Sequence, residues 1–193
     1  MKIILASNSP RRKELLERIG YEYTVKPTEI DESTSIIDPE LMVKDLSYKK
    51  AMAVVELEKG KLESDDCVVL GSDTVVSIDG CILGKPIDEE DAFEMLKRLS
   101  GKSHIVCTGV SLIPLWDIKK AVTFSETAKV YFCKLTDDEI WKYIMSREPM
   151  DKAGGYGIQG LASKFIEKIE GDYYTIMGLP VCRTYKELKK LAE

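Results

Sequence analysis

The sequence predicts an α/β protein with a mixed, strongly twisted central sheet flanked by helices. Short apolar segments alternate with segments of helical periodicity, which is the pattern of α/β folds. Two long β-rich segments, 104–115 and 121–135, follow each other without a helix between them, so the sheet should be mixed rather than wholly parallel. We also expect two lobes around a cleft, within a single domain that spans residues 1–193.

The first half of the chain predicts two strands and two helices. Segment 2–6 is apolar and predicts a buried strand. Ser9 then offers an N-cap, Pro10 takes the first helical position and Gly20 follows the last turn. Next come an alternating strand over 21–25, an acidic turn-rich stretch over 28–38 and a helix from Pro39 to about Glu58.

The second half supplies the remaining strands of the predicted sheet. Its elements in order are a strand over 67–71 that continues over 74–78, a helix over 88–99, the two β-rich segments, a helix from Thr136 to about Met145 and a final helix from about Pro180. Asp79 and Gly80 predict a tight turn, and Thr136 with Glu139 predicts a capping box. His104 is the only histidine, which excludes a metal centre of several histidines, and it is expected to hold an ordinary strand position.

Composition excludes several classes of function. The net charge is −5, from 28 basic and 33 acidic side chains, so non-specific binding to nucleic acid is not expected. No segment approaches the roughly 18 apolar residues of a membrane span, and the first residues do not resemble a signal peptide. The five cysteines are odd in number and include no C-x-x-C pair, which is typical of reduced thiols in a cytoplasmic protein.

A phosphate site is predicted where the first strand meets the first helix. Two hydroxyls and two guanidinium groups lie there, beside the N–H groups of a helix N-terminus, and they belong to Ser7, Ser9, Arg11 and Arg12. The alternative interpretation is a capped helix with two solvated arginines.

Two acidic positions are candidates for chemistry. Asp73 interrupts an apolar strand, and a buried carboxylate needs a cation, a metal or hydrogen-bond donors, so this residue predicts a metal ligand or a general base. A structural turn at Ser72 and Asp73 is the alternative. The acidic stretch 29–32 is a weaker candidate for magnesium, because acidic loops are commonly only solvated.

Three further residues fit a nucleotide. Lys50 on the second helix and Lys85 between Gly84 and Pro86 suit polyphosphate oxygens, although each is an ordinary solvated lysine when taken alone. The amide of Gln159 can both donate and accept, which suits the edge of a base. The glycines of the loop 154–160 permit a ligand to approach the backbone, or make the loop merely flexible.

These segments form an ordered series of motifs along nearly the whole chain. The series comprises 5–16, 50–51, 71–74, 83–86, 99–101, 148–154, 156–160 and 177–180, and includes Ser7-Asn8-Ser9-Pro10-Arg11-Arg12, Gly71-Ser72-Asp73-Thr74 and Tyr156-Gly157-Ile158-Gln159-Gly160. Taken together it resembles the Maf family, in its nucleoside triphosphate pyrophosphatase branch. Gly155 departs from the alanine that this branch often has, which bears only on fine selectivity.

The resemblance implies a Maf- or ITPase-like fold and an enzyme that hydrolyses a nucleoside triphosphate to the monophosphate and pyrophosphate. It also implies a divalent cation (magnesium, manganese or cobalt) and a homodimer. Arg11, Thr74 and Gln159 would mark the branch that acts on dTTP and UTP. In the corresponding mechanism Glu32 and Asp73 hold the metal, Asp73 is the catalytic residue, and the attacking water is activated either by Asp73 directly or by the metal. The residues that would neutralise the triphosphate are Ser7, Ser9, Arg11, Arg12, Lys50 and Lys85.

Two alternative functions follow from the same residues. One is a house-cleaning pyrophosphatase that acts mainly on modified pyrimidine nucleotides. The other is a non-catalytic protein that senses a nucleotide and is linked to cell division. The carboxylates count against the sensor, because binding a triphosphate requires cations rather than acidic groups.

Overall fold

The computed structural model describes residues 1–27, 29–58 and 66–193, and these form seven strands and six α-helices besides short 3₁₀ turns. Position 28, where the predicted acidic stretch begins, lies outside the described residues. The strands are β1 (Lys2–Leu5), β2 (Tyr23–Val25), β3 (Cys67–Ile78), β4 (Cys81–Leu83), β5 (Ser103–Pro114), β6 (Val122–Phe132) and β7 (Ile166–Glu170). The helices are α1 (Pro10–Arg18), α2 (Pro39–Glu58), α3 (Glu89–Leu99), α4 (Asp137–Ile144), α5 (Tyr173–Met177) and α6 (Val181–Ala192).

The strands form one sheet of order β2-β1-β3-β5-β6-β7, with β4 paired to β3. β1 is parallel to β2 and to β3, with Ile3 opposite Tyr23 on one side and Val68 on the other. β4 is antiparallel to β3, and β7 is antiparallel to β6. The prediction of a mixed α/β sheet is therefore confirmed, and the two β-rich segments are neighbours as β5 and β6.

The chain divides into two compact units, each with its own cluster of buried apolar side chains. The first unit contains the described residues of Met1–Asp73, Thr108–Glu126 and Gly178–Glu193. The second unit contains Thr74–Cys107 and Thr127–Met177. Each predicted site residue can therefore be assigned to one unit.

In the first unit, α2 lies very close to the sheet. A Cβ placed on Gly71 of β3 would lie 2.1 Å from the backbone oxygen of Ser47. One placed on Gly109 of β5 would lie 2.2 Å from the backbone oxygen of Val43. Both positions therefore exclude any side chain larger than hydrogen, and α2 packs on the sheet through backbone contact as well as through buried residues such as Ala51.

In the second unit, the only histidine lies in an aromatic cluster of the core. The rings of His104, Phe132 and Tyr156 pack edge to face, with centroids between 4.8 and 5.3 Å apart. His104 lies on β5, as predicted, and its Nε2 is 2.7 Å from the Tyr156 hydroxyl. Burial lowers the pKa of His104 to about 4, so the imidazole is neutral at pH 7.

Three local features of the structure bear on the predicted elements. β3 runs without a break through Ser72 and Asp73, so the structural turn considered for these residues is wrong. Ser9 stands at the N-cap position of α1, but its side chain makes no capping hydrogen bond there. Thr136 and Glu139 form the predicted capping box at the start of α4.

Among the helices that the structure describes, none combines the length and the apolar character needed to cross a bilayer. All five cysteines are free thiols. Cys67 and Cys107 are buried, whereas Cys81 and Cys182 are exposed.

Candidate active site

The first unit gathers predicted phosphate-binding residues at the start of α1. Ser7 and Ser9 lie on the segment that joins β1 to α1, and Pro10 is the first helical residue. The Ser7 hydroxyl oxygen accepts hydrogen bonds from the Ser9 backbone N–H at 3.2 Å and from Arg12 Nη1 at 3.0 Å. Because the oxygen accepts both bonds, the hydroxyl still has its own hydrogen to donate to an anion.

Arg12 is positioned by a distant segment of the chain. Its Nε donates to the backbone oxygen of Gly178 at 2.9 Å, and the Ser72 hydroxyl donates to the same oxygen at 3.0 Å. Burial lowers the pKa of Arg12 to about 10, although the nearby Asp73 carboxylate opposes this shift, so the guanidinium is charged at pH 7. The charge of Arg11 also lowers the pKa of Arg12. Two adjacent positive charges of this kind are favourable for binding an anion.

One ammonium group joins the two carboxylates that were predicted to bind metal. Lys50 Nζ lies 2.5 Å from Asp73 Oδ1 and 2.8 Å from Glu32 Oε1. The side chains of Asp73 and Lys50 are 11% and 15% exposed, whereas that of Glu32 is 59% exposed. The largely buried Asp73 thus has the cation that a carboxylate in this position requires, and Glu32 joins the group from the solvent side.

The close packing of α2 on the sheet explains how this cluster forms. Gly71 precedes Asp73 by two residues on β3, so both face the same side of the sheet. A Cβ on Gly71 would lie 2.9 Å from the Cβ of Ala51, the residue after Lys50 on α2. Helix and strand therefore meet beside the ion pair, and a larger residue at position 71 would separate Lys50 from Asp73.

The donor set of the cluster fits a hard divalent cation. Magnesium in proteins commonly binds one or two carboxylates and completes its coordination with water and phosphate oxygens. Glu32 and Asp73 supply two carboxylates that share one positive charge. In the part of the chain that the structure describes, no three His, Cys, Asp or Glu side chains form a group that could hold a metal. These residues therefore suit a cation that takes its other ligands from a substrate or from water.

The second unit contains the other three predicted site residues. Thr74 follows Asp73 directly on β3 and is half-buried. Lys85 is exposed on the segment between β4 and α3, and Gln159 is exposed in the glycine-rich loop. The side chains of Lys85 and Gln159 are thus accessible to a ligand.

Close packing, rather than flexibility, explains two glycines of this loop. A Cβ on Gly157 would lie 2.7 Å from Lys152 Cε, and a Cβ on Gly160 would lie 2.2 Å from Glu148 Oε1. The loop backbone is therefore approached by side chains of the protein itself. Neither of the two predicted reasons for these glycines, approach of a ligand or flexibility, is needed at positions 157 and 160.

Ser72 and Gly178 have no predicted role, yet the Gly178 backbone oxygen accepts hydrogen bonds from both Ser72 and Arg12. The Gly178 carbonyl is a backbone group, and it lies 166 residues from Arg12 along the chain. Such a contact leaves no local pattern in the sequence. The only available signal was the motif 177–180, which marks the segment without indicating what it contacts.

Nearly the whole chain, residues 2–191, matches one family model, described as Maf-like protein. The chain belongs to the Maf-like protein family. This match confirms the resemblance inferred from the motifs. The Maf-like chain is 48% identical over 191 residues to the dTTP/UTP pyrophosphatase of Carboxydothermus hydrogenoformans, with 98% of each chain covered.

A second relative of this Maf-like chain is the dTTP/UTP pyrophosphatase of Caldanaerobacter subterraneus subsp. tengcongensis. It is 46% identical over 190 residues, which cover 98% of this chain and 89% of the relative. Among solved structures, a HAM1 protein from Coxiella burnetii is 14% identical with a TM-score of 0.49, covering 70% of this chain and 74% of that one.

Proposed function

We propose that this Maf-like protein hydrolyses dTTP and UTP to the nucleoside monophosphate and pyrophosphate. The observation that supports it most is the contact of Lys50 with both Asp73 and Glu32, which places two carboxylates and a cation in one group. Relatives that cover 98% of this chain at 46% and 48% identity are named dTTP/UTP pyrophosphatases, which supports the same reaction here.

In this proposal the triphosphate binds to the basic residues around α1. The first turn of α1 consists of Pro-Arg-Arg-Lys, so a bound anion meets positive charge and the positive end of the helix. Arg11 and Arg12 offer guanidinium groups, and the hydroxyls of Ser7 and Ser9 donate hydrogen bonds. Lys85 is a further predicted phosphate ligand, and its ammonium group is exposed.

Asp73 is the proposed base for the attacking water. Glu32 and Asp73 would hold the divalent cation, which when bound polarises phosphate oxygens and stabilises the charge of the leaving group. Lys50 keeps Asp73 in position by donating to its Oδ1. The water oxygen forms a bond to the α-phosphorus while the bond from that phosphorus to the α,β-bridging oxygen breaks. The water proton passes to Asp73, and the bridging oxygen leaves with its electron pair as part of pyrophosphate.

Gln159 is the proposed recognition residue for the base, together with Thr74 and Arg11. Its amide presents an N–H donor and a C=O acceptor side by side. Uracil and thymine both present a C=O acceptor beside the N3–H donor, so one amide can pair with either base. The exposure of Gln159 leaves this amide available to a ligand.

Pyrophosphate release from a panel of nucleotides tests the proposal. The panel contains dTTP, UTP, CTP, GTP, ATP and 7-methyl-GTP, each with magnesium, manganese or cobalt and with EDTA. We expect metal-dependent release from dTTP and UTP, at rates well above those for the other nucleotides. Release mainly from 7-methyl-GTP would keep the chemistry and overturn the assignment of the base.

Two additions to the panel separate the alternative functions. Faster turnover of 5-methyl-UTP, pseudo-UTP or 5-methyl-CTP than of dTTP would identify a house-cleaning enzyme for modified pyrimidines. Metal-independent binding of a nucleotide, measured by calorimetry and without product formation, would identify a sensor.

A further inference from the structure

Gln159 lies at the centre of a loop whose two flanks are bound by the same pair of side chains. Two residues before it, the Gly157 N–H donates to the Tyr143 hydroxyl at 3.3 Å. Two residues after it, the Leu161 N–H donates to Glu148 Oε2 at 2.9 Å. The Tyr143 hydroxyl donates in turn to Glu148 Oε1 at 2.9 Å, so the two acceptors are joined. We call these two side chains the Tyr143–Glu148 pair.

The Tyr143–Glu148 pair is closely packed. Tyr143 is 2% exposed, and its ring packs edge to face on Phe165 with centroids 5.6 Å apart. Burial and the hydrogen bond to Glu148 raise the pKa of Tyr143, so its hydroxyl stays protonated and continues to donate at neutral pH. The carboxylate of Glu148 occupies the space that a side chain at Gly160 would need.

A reversal of the chain after α4 brings Glu148 back to Tyr143. Arg147 has a φ of +63°, which is uncommon for a residue other than glycine. Lys152 Nζ then donates to the Glu148 backbone oxygen at 2.6 Å, while its methylene groups pack on Gly157. A left-handed backbone at a non-glycine residue costs free energy and persists where the surroundings require it. The motif 148–154, which has no part in the proposed hydrolysis, thus has a structural task beside Gln159.

We infer that the Tyr143–Glu148 pair is a positioning pair that fixes Gln159 and thereby sets the selectivity for uracil and thymine. The inference rests on the proposed function, because it takes Gln159 as the residue that contacts the base. In this inference the pair acts through the backbone of the loop rather than through contact with the substrate. Hydrogen bonds at residues 157 and 161 restrict where the amide of Gln159 lies, and a displacement of about 1 Å is enough to lose much of its discrimination.

Steady-state kinetics of Tyr143→Phe and Glu148→Gln test this role. In Tyr143→Phe, the Gly157 N–H and Glu148 Oε1 each lose a partner, while the ring remains in the core. The ratio of kcat/KM for UTP to that for ATP should decrease about tenfold, mainly through a higher KM for UTP.

The matched control is Tyr131→Phe, because the Tyr131 hydroxyl donates to Glu170 Oε2 at 3.0 Å on an exposed part of the same unit. This substitution also removes a hydrogen bond from a tyrosine hydroxyl to a carboxylate, but at a position outside the loop. The UTP to ATP ratio of this variant should equal that of the wild type, and an equal decrease would overturn the inference.

A double-mutant cycle with Gln159→Ala separates positioning from general damage. If the pair acts through Gln159, adding Tyr143→Phe to Gln159→Ala should change the ratio less than about twofold. A second, independent tenfold decrease would overturn the inference. Hydrogen exchange supplies a readout that does not depend on turnover: peptides with the Gly157 and Leu161 amides should exchange about tenfold faster in Tyr143→Phe than in the wild type.

The two proposals fail in different ways. A wild-type protein that releases no pyrophosphate from any triphosphate overturns the proposed function. A wild type active on UTP, with variants that keep its UTP to ATP ratio and its exchange rates, overturns only the positioning role. Glu148→Gln keeps the size of the side chain and one acceptor, so it still provides the test if thermal unfolding shows that Tyr143→Phe does not fold.

Discussion

The two units hold their predicted site residues by different kinds of interaction. In the first, charged side chains from distant segments meet, as Lys50 contacts Glu32 and Asp73. In the second, a tyrosine and a carboxylate from the preceding segment bind the backbone on both sides of Gln159. Phosphate and metal require charge, whereas the choice between bases requires hydrogen-bonding groups in fixed positions. Substitutions in the first unit should therefore affect turnover, and those around Gln159 should affect selectivity.

The largest expected effect is that of Asp73→Asn on turnover in the first unit. The amide cannot take the proton of the water, and it leaves the charge of Lys50 less well balanced. We expect kcat for UTP, measured by pyrophosphate release, to decrease by about two to four orders of magnitude.

Asp79→Asn is the matched control for this change. Asp79 is an exposed turn residue with a φ of +51°, a conformation that asparagine also adopts, and it pairs with Lys102 at 3.1 Å. Its kcat should stay within about twofold of the wild type. Near-normal turnover of Asp73→Asn would show that the mechanism is wrong at its central residue.

The next effect concerns stability, through the contact of α2 with the sheet. In Gly71→Ala the new Cβ would meet the Ser47 carbonyl and Ala51, which belong to backbone and core rather than to a flexible side chain. We expect the free energy of unfolding in urea to decrease by about 3 kcal/mol or more. Gly84→Ala is the control, because a Cβ there meets nothing within 4 Å. A loss below about 1 kcal/mol for Gly71→Ala would contradict the proposed packing.

A smaller effect is expected from the buried histidine of the second unit. His104 stays neutral in the folded protein down to about pH 4, whereas in the unfolded chain it binds a proton near its usual value of 6.5. Lowering the pH through this range therefore favours the unfolded chain. Between pH 7 and pH 4.5 this group should reduce the free energy of unfolding by about 2 kcal/mol. Urea titrations of the wild type and of His104→Gln measure it, and equal pH dependence of the two proteins would exclude it.

The smallest expected effect is that of Gln159→Ala on selectivity. Loss of the amide that is proposed to pair with the base should reduce kcat/KM for UTP about tenfold and change that for ATP much less. The control is Ser163→Ala, because Ser163 is also exposed and lies four residues after Gln159. This variant should leave both values unchanged. Equal losses for UTP and ATP would show that Gln159 does not recognise the base.

The long elements of the fold could be predicted from sequence because their periodicity extends over several turns or pleats. α2 and the two β-rich segments are of this kind. β7 and α5 contain five residues each and were not predicted. The sequence of β7, Ile-Glu-Lys-Ile-Glu, does not alternate between apolar and polar residues, and α5 is too short to repeat a helical pattern. β3 was expected to be interrupted because Asp73 is polar, yet the partner Lys50 allows the strand to continue.

The candidate site was predictable in its residue types but not in its contacts. Arginine, lysine and aspartate at motif positions indicate phosphate and metal chemistry, because few other side chains supply such charges. The sequence does not show that one lysine serves two carboxylates, nor that a backbone carbonyl positions Arg12. Glycines present a similar difficulty, because flexible loops and closely packed loops can have the same composition. At Gly160 only the position of the Glu148 carboxylate shows that the loop is closely packed.

The contact of Arg12 with Gly178 has a consequence for biosynthesis. Ribosomes make a protein from its N-terminus, so 166 residues separate the synthesis of Arg12 from that of the carbonyl to which its Nε donates. The same carbonyl accepts from Ser72, which is also made much earlier. During most of its translation, a nascent chain therefore lacks the contacts that assemble the proposed phosphate site. The proposed hydrolysis of UTP, a precursor of RNA, would begin only after Gly178 has left the ribosome and joined the folded protein.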